Sequence, residues 1–200
     1  MIKVNYSNVL TVLRIFFIPY FLIFLFSNFK YGRVIALFIF IIASLTDWYD
    51  GRIARKRNEV TEFGKIMDPI ADKLLVLSAF ISFVQLDLVP TWMIIIIIAR
   101  EFLITSFRMV AISKSKSVLS AIPSGKHKTV WHIVTIITIL VILALPEIGP
   151  WKDFFISKGD VGEHLVAFIL VLPYAMTFIC VVYSVYSAID FINKNKNYIF

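Results

Sequence analysis

Four aspartates, Asp47, Asp50, Asp68 and Asp72, stand within 26 residues of one another in a chain that is otherwise strongly apolar. Asp47 and Asp50 are three apart with Ala54 four further on, while Gly64, Asp68 and Asp72 follow at steps of four. Each set falls on one face of a helix, provided the helix continues through it. Between them the stretch RKRNEVTE reverses the chain, so two helical ends aim four carboxylates at one place. Left unneutralised, such a cluster repels itself strongly, the more so at a low-dielectric boundary. It calls for a cation. All the donors are hard oxygens, with no His or Cys among them, which favours Mg2+, Mn2+ or Ca2+ over zinc or copper. Four carboxylates are more than one Mg2+ normally takes from protein, so a pair of ions bridging a substrate phosphate is the economical reading. Gly51 and Gly64, lacking side chains, leave room for a ligand beside the metals. The bland alternative, aspartates pairing with Arg52, Arg55 and Arg57 in a solvated loop, accounts for one carboxylate more readily than for four at paired helical spacing.

The elements that must carry these residues are membrane helices. Of the 200 residues, 60% are hydrophobic and only 16% charged, and the mean hydropathy is +0.86. A bilayer core of about 30 Å takes roughly 20 apolar residues per helix. Apolar segments run over 9–27, 34–49, 69–86, 90–112, 129–146 and 164–192. The expected fold is therefore an all-α integral membrane protein: a six-transmembrane-helix bundle forming a single domain over residues 1–200, with a polar cavity facing the cytoplasm. The stretch Val9 to Ser27 lacks a small-residue cleavage pattern and reads as a retained first span. Pro90 suits the first turn of the fourth helix, Pro146 and Pro150 close the fifth, and Pro173 should bend the last. One cysteine, Cys180, excludes a disulfide within the chain and reads as a small core residue. His127, His132 and His164 are scattered and read as surface or interface residues rather than ligands.

Cations set the orientation. With the N-terminus in the cytoplasm, the inner loops and ends carry twelve Lys and Arg, five of them between Arg52 and Lys65, while the outer loops carry four, Lys30, Arg33, Lys152 and Lys158. The bias places the N-terminus and the aspartates on the cytoplasmic side of the cell membrane. It also accounts for the net charge of +7 through inner loops and anionic lipid, leaving no call for nucleic acid. Arg14, Lys73, Arg100 and Arg108 lie inside apolar segments, where an ionisable group usually faces a polar cavity.

Asp47-x2-Asp50-Gly51-x2-Ala54-Arg55-x8-Gly64-x3-Asp68-x3-Asp72 resembles, at all eight positions, the signature of the CDP-alcohol phosphotransferase family. The resemblance implies a six-helix membrane enzyme, commonly a homodimer, that moves a phosphatidyl or similar group from a CDP-linked donor to an alcohol and releases CMP. It implies that the four aspartates hold divalent metal, Mg2+ or Mn2+, at the donor pyrophosphate, and that Asp72 is the general base. The residues themselves agree with the chemistry: a pyrophosphate needs neutralising before an alcohol attacks it, and a carboxylate at the metal rim can take the alcohol's proton. They do not rank Asp72, next to Lys73, above Asp68.

The acceptor is legible in three further stretches. NVLTVLR places Asn8, Thr11 and Arg14 at steps of three along the first helix; IAREFLITSFR puts Arg100, Glu101 and Arg108 in the fourth; GKHKT puts Lys126, Lys128 and Thr129 at the start of the fifth. Arg108, Lys126 and Lys128, with Arg14, are placed to hold a second anion apart from the pyrophosphate, as a phosphorylated acceptor would require. Lys126 and Lys128 also fit as ordinary markers of the inner face, and Arg100 with Glu101 as an ion pair that only fixes helix packing. Glu101 is therefore taken as supporting, along with Arg100, Lys73 and Thr129. Together with the aspartate motif these stretches resemble the bacterial branch of the family that makes phosphatidylglycerol phosphate from CDP-diacylglycerol and sn-glycerol 3-phosphate. That resemblance implies a donor whose acyl chains lie in the lipid bilayer and whose CDP group meets Asn8, Thr11, Asp50, Gly51, Ala54, Arg55 and Gly64.

The nearest alternatives keep the chemistry and change the acceptor, to phosphatidylglycerol, giving cardiolipin, or to inositol phosphate. An intramembrane prenyltransferase would also bind Mg-pyrophosphate through aspartates, but needs more helices and gives Asp50-Gly51-x2-Ala54-Arg55 no role. A cation transporter predicts carboxylates near the bilayer midplane on broken helices. A scaffold leaves the four carboxylates without a purpose.

Overall fold

The computed structural model describes the backbone of residues 6–57, 62–115 and 123–195, and the side chains of 15–46, 73–107, 128–151, 154–155 and 157–195. The described backbone is helical: α1 (Tyr6–Phe26), α2 (Gly32–Arg57), α3 (Glu62–Gln85), α4 (Thr91–Ser115), α5 (Pro123–Ile148), the short α6 (Trp151–Ile156) and α7 (Asp160–Lys194). Each of the six apolar segments lies on a long helix. The helices outrun the apolar segments at polar ends, where hydropathy falls but backbone hydrogen bonding continues. Pro146 does not close α5, which extends to Ile148; Pro150 lies beyond its end, and Pro90 directly precedes α4.

Among the described residues, Lys128–Ile148 and Asp160–Lys194 are each long and apolar enough to cross a membrane. Only 33% and 28% of their most apolar windows are buried, so packing within the chain does not account for their greasiness. The chain reads as a membrane protein. At about 1.5 Å per residue, the 35 residues of α7 outreach a bilayer core.

The chain divides into two compact units. In the first, residues 1–82 and 136–169, α1 and α2 form a hairpin. Phe21 and Leu25 of α1 and Ala36, Phe40 and Ala43 of α2 are buried at helical spacing, and the Phe21 and Phe40 rings lie 5.9 Å apart. Gly32 is required at the turn. A Cβ there would come within 2.6 Å of Ser27 Oγ and 2.7 Å of the Phe24 carbonyl, and the backbone oxygen has little freedom to move. The start of α2 is closed from elsewhere in the chain: the Glu147 carboxylate accepts from the Arg33 amide at 3.0 and 3.1 Å and from the Val34 amide at 3.1 Å. These amides have no partner within their own helix, and the positive end of the helix favours a carboxylate.

In the second unit, residues 83–135 and 170–200, the buried positions of α4 are Met93, Ile94, Ile97, Glu101 and Ile104. Those of α7 are Pro173, Thr177, Cys180, Val181, Ser184, Ser187 and Phe191, with Asn195 buried just past its end. This α7 stripe is mostly small and polar, the composition that lets membrane helices approach closely and hydrogen-bond across the contact. Helix α7 runs through Pro173, and Thr177 Oγ1 donates to the Pro173 carbonyl at 2.7 Å.

Candidate active site

In the first unit, α2 continues unbroken to Arg57 and α3 begins at Glu62, so Asp47 and Asp50 stand in one helix and Gly64, Asp68 and Asp72 in the next. The condition for a shared face within each set is met by the backbone. The α1–α2 hairpin returns the start of α1, with Asn8, Thr11 and Arg14, to the end of the unit where α2 finishes. From Arg57 to Glu62 the chain spans at most about 18 Å, which keeps the start of α3 at that same end. Side chains of Asn8, Thr11, Arg14, Asp47, Asp50, Gly51, Ala54, Arg55, Gly64, Asp68, Asp72, Arg108 and Lys126 lie outside the described residues. Among the described residues no group of three His, Cys, Asp or Glu stands together, so the reading of a metal site rests on the aspartate segment. Four carboxylates on two helical ends, all oxygen donors, fit a hard divalent cation.

The second unit shows its polar residues directly. Glu101 on α4 accepts from Arg100 Nη1 at 3.2 Å and pairs with the ammonium of Lys128 on α5. Arg100 Nη2 donates to Ser187 Oγ on α7 at 2.8 Å. One turn along α5, His132 Nε2 lies 3.3 Å from Ser184 Oγ, and a further turn on, Thr135 Oγ1 lies 3.1 Å from Cys180 Sγ. Cys180 also contacts the Trp131 carbonyl at 3.6 Å, and the Trp131 and Tyr183 rings stack at 5.8 Å. Three helices are thus tied by a buried polar ladder. Its charges must be paired, since the side chains of Lys128 and Glu101 are only 4% and 11% exposed.

Of the residues singled out in the sequence, the structure brings Arg100, Glu101 and Lys128 together. Thr129 is exposed beside them on α5, and Lys73 is half-buried on α3. The sequence reading missed Ser184 and Ser187, and it took His132 of α5 for a surface or interface residue, whereas His132 is buried against Ser184. The signal of the two serines was available as small and polar residues at steps of three and four inside the apolar α7 segment. Helical register separates the two lysines of α5. Lys126 falls about 160° round the helix from Lys128, on the stripe of the exposed Val130. Arg108, seven residues past Glu101, shares the face of α4 that meets Lys128.

A helical membrane protein with paired aspartates at adjoining helix ends and buried cations on its later helices defines the class: an intramembrane enzyme acting on phosphate esters. The chain belongs to the CDP-alcohol phosphatidyltransferase family, whose sequence model matches residues 4–185. Among its relatives, the CDP-diacylglycerol–glycerol-3-phosphate 3-phosphatidyltransferase of Bacillus subtilis is 44% identical over 154 residues, covering 71% of this chain and 79% of the relative. A protein of the same name from Rickettsia typhi is 36% identical over 169 residues, covering 84% and 92%. A probable phosphatidylglycerophosphate synthase of Mycobacterium tuberculosis is 39% identical over 149 residues, covering 73% and 68%.

Proposed function

We propose that this chain transfers the phosphatidyl group of CDP-diacylglycerol to sn-glycerol 3-phosphate, giving phosphatidylglycerol phosphate and CMP. The observation that carries this reading is the complete aspartate motif, Asp47 to Asp72, in a chain 44% identical to a relative bearing that activity in its name. The glycerol 1-hydroxyl oxygen forms a bond to the phosphorus that bears diacylglycerol, and the bond from that phosphorus to the CMP oxygen breaks. Asp72 receives the hydroxyl proton, with Asp68 one turn before it on α3. Asp47, Asp50, Asp68 and Asp72 would hold a pair of divalent cations, Mg2+ or Mn2+. When bound, these supply neutralisation of the pyrophosphate and polarisation of the reacting phosphoryl group.

Asn8, Thr11, Gly51, Ala54, Arg55 and Gly64 surround the CDP group, and the acyl chains lie in the bilayer. Arg108, Lys126 and Lys128, with Arg14, supply positive charge for the acceptor phosphate. The protein spans the cell membrane six times as a homodimer, with its N-terminus and aspartates in the cytoplasm, in keeping with the bias of its loop cations. Asp47 and Asp50 inside the continuous α2, and Asp68 and Asp72 inside the continuous α3, speak against the broken-helix ion site of a transporter. The test is CMP release by the purified protein with CDP-diacylglycerol and Mg2+ or Mn2+. Release should need both metal and glycerol 3-phosphate and be lost in Asp72→Asn. Release with inositol phosphate or phosphatidylglycerol instead would overturn the acceptor.

A further inference from the structure

Glu101 is a carboxylate buried among membrane helices, and it touches cations from two of them. Arg100 Nη1 reaches it from its own helix and Lys128 pairs with it from α5, while Arg100 Nη2 holds Ser187 of α7. A lysine side chain has a long flexible stem whose freedom must be given up if its charge is to stand in one place. Pairing with Glu101 removes that freedom before any ligand arrives. We infer that Glu101 is a positioning residue for the acceptor: it presets the ammonium of Lys128, so that this cation receives the phosphate of glycerol 3-phosphate. The inference rests on the acceptor assignment above and adds to it which carboxylate holds Lys128 in place.

A pair that merely fastened helices would behave differently from one that places a binding group. Removing Glu101 alone leaves buried cations without their carboxylate and destabilises the fold. Removing both partners of the Glu101–Lys128 pair relieves the part of that penalty due to Lys128, Arg100 keeping its bond to Ser187, but also deletes the cation. The double variant therefore separates the two roles.

The experiment measures KM for each substrate and kcat by CMP release from the full chain in lipid nanodiscs, for wild type, Glu101→Asp, Glu101→Gln and Glu101→Gln/Lys128→Met. Thermal unfolding of each is followed in parallel. Glu101→Gln should raise KM for glycerol 3-phosphate about tenfold or more, with KM for CDP-diacylglycerol changed less than about twofold, a binding loss confined to one substrate. Glu101→Asp, which keeps the charge, should recover part of that loss. The double variant should regain thermal stability over Glu101→Gln while KM for glycerol 3-phosphate stays high. If the double variant regains both stability and the wild-type KM, Glu101 only fastens helices and the inference fails, as it does if both KM values rise together. If Glu101→Gln does not fold, Glu101→Asp and the double variant decide by the same criteria. Wild type that releases CMP only with a different alcohol would overturn the acceptor assignment itself, and the inference with it.

Discussion

Glu147 lies 114 residues from Arg33 in sequence, yet its carboxylate closes the start of α2 by accepting from two backbone amides. Replacing it with alanine leaves those amides without a protein partner. A hydrogen bond to a charged group contributes about 1.5–3 kcal/mol, and a carboxylate at a helix N-terminus gains about 0.3–1 kcal/mol from the helix dipole. Two effects work the other way: water reaches part of this half-buried site, and Glu147 also sits in the last turn of α5, whose negative end disfavours it. The balance for Glu147→Ala is a loss of about 2 kcal/mol, and for Glu147→Gln, which keeps an acceptor oxygen without the charge, about 1 kcal/mol. Unfolding in mixed detergent micelles, followed by tryptophan fluorescence, reads the change. The aspartates of α2 lie roughly 20–30 Å further along the helix, so turnover per folded molecule should change little. A loss below about 0.5 kcal/mol for Glu147→Ala would refute the reasoning, because it would place the effect among ordinary surface substitutions. So would a Glu147→Gln variant as stable as wild type.

Other outcomes follow from the same geometry. Gly32→Ala should destabilise the chain by about 1–3 kcal/mol, and adding Ser27→Ala should restore only part of it, because the Phe24 carbonyl still blocks the Cβ; paired unfolding curves check both. Chelation should abolish CMP release, and Mg2+ or Mn2+ should restore it where Zn2+ does not, as an all-oxygen site requires. Lys128→Met should raise KM for glycerol 3-phosphate by a larger factor than Lys126→Met, since Lys128 is held against Glu101 of α4; initial-rate kinetics on the two variants decide it.

The six long helices were legible because each carries an apolar segment that nothing but a membrane or a core explains. Their true ends were not: hydropathy stops α2 at 49 and starts α3 at 69, whereas the backbone keeps both helical around the four aspartates. Pro146 misled in the same way, since a proline near a helix end removes one hydrogen bond without preventing another two residues from following. Helix α6, a six-residue turn of aromatic and charged residues, has no periodicity to find. The aspartate motif was fully legible, being local in sequence and chemically unusual. The partnerships of Lys128 with Glu101, Arg100 with Ser187 and Glu147 with α2 were not. Each joins residues far apart in the chain, and charge alone marked Lys128 equally well as an inner-face marker or a phosphate ligand. Cys180, read as a small core residue, is buried between Thr135 and the Trp131 carbonyl.

The most direct test of the reaction follows one oxygen atom. The purified protein is given CDP-diacylglycerol, divalent metal and glycerol 3-phosphate carrying 18O in its 1-hydroxyl, and the lipid and nucleotide products are weighed by mass spectrometry. Attack of that hydroxyl on the phosphorus bearing diacylglycerol yields phosphatidylglycerol phosphate that retains the label, together with unlabelled CMP. Label in the CMP, an unlabelled lipid product, or no phosphatidylglycerol phosphate at all would contradict the proposed transfer.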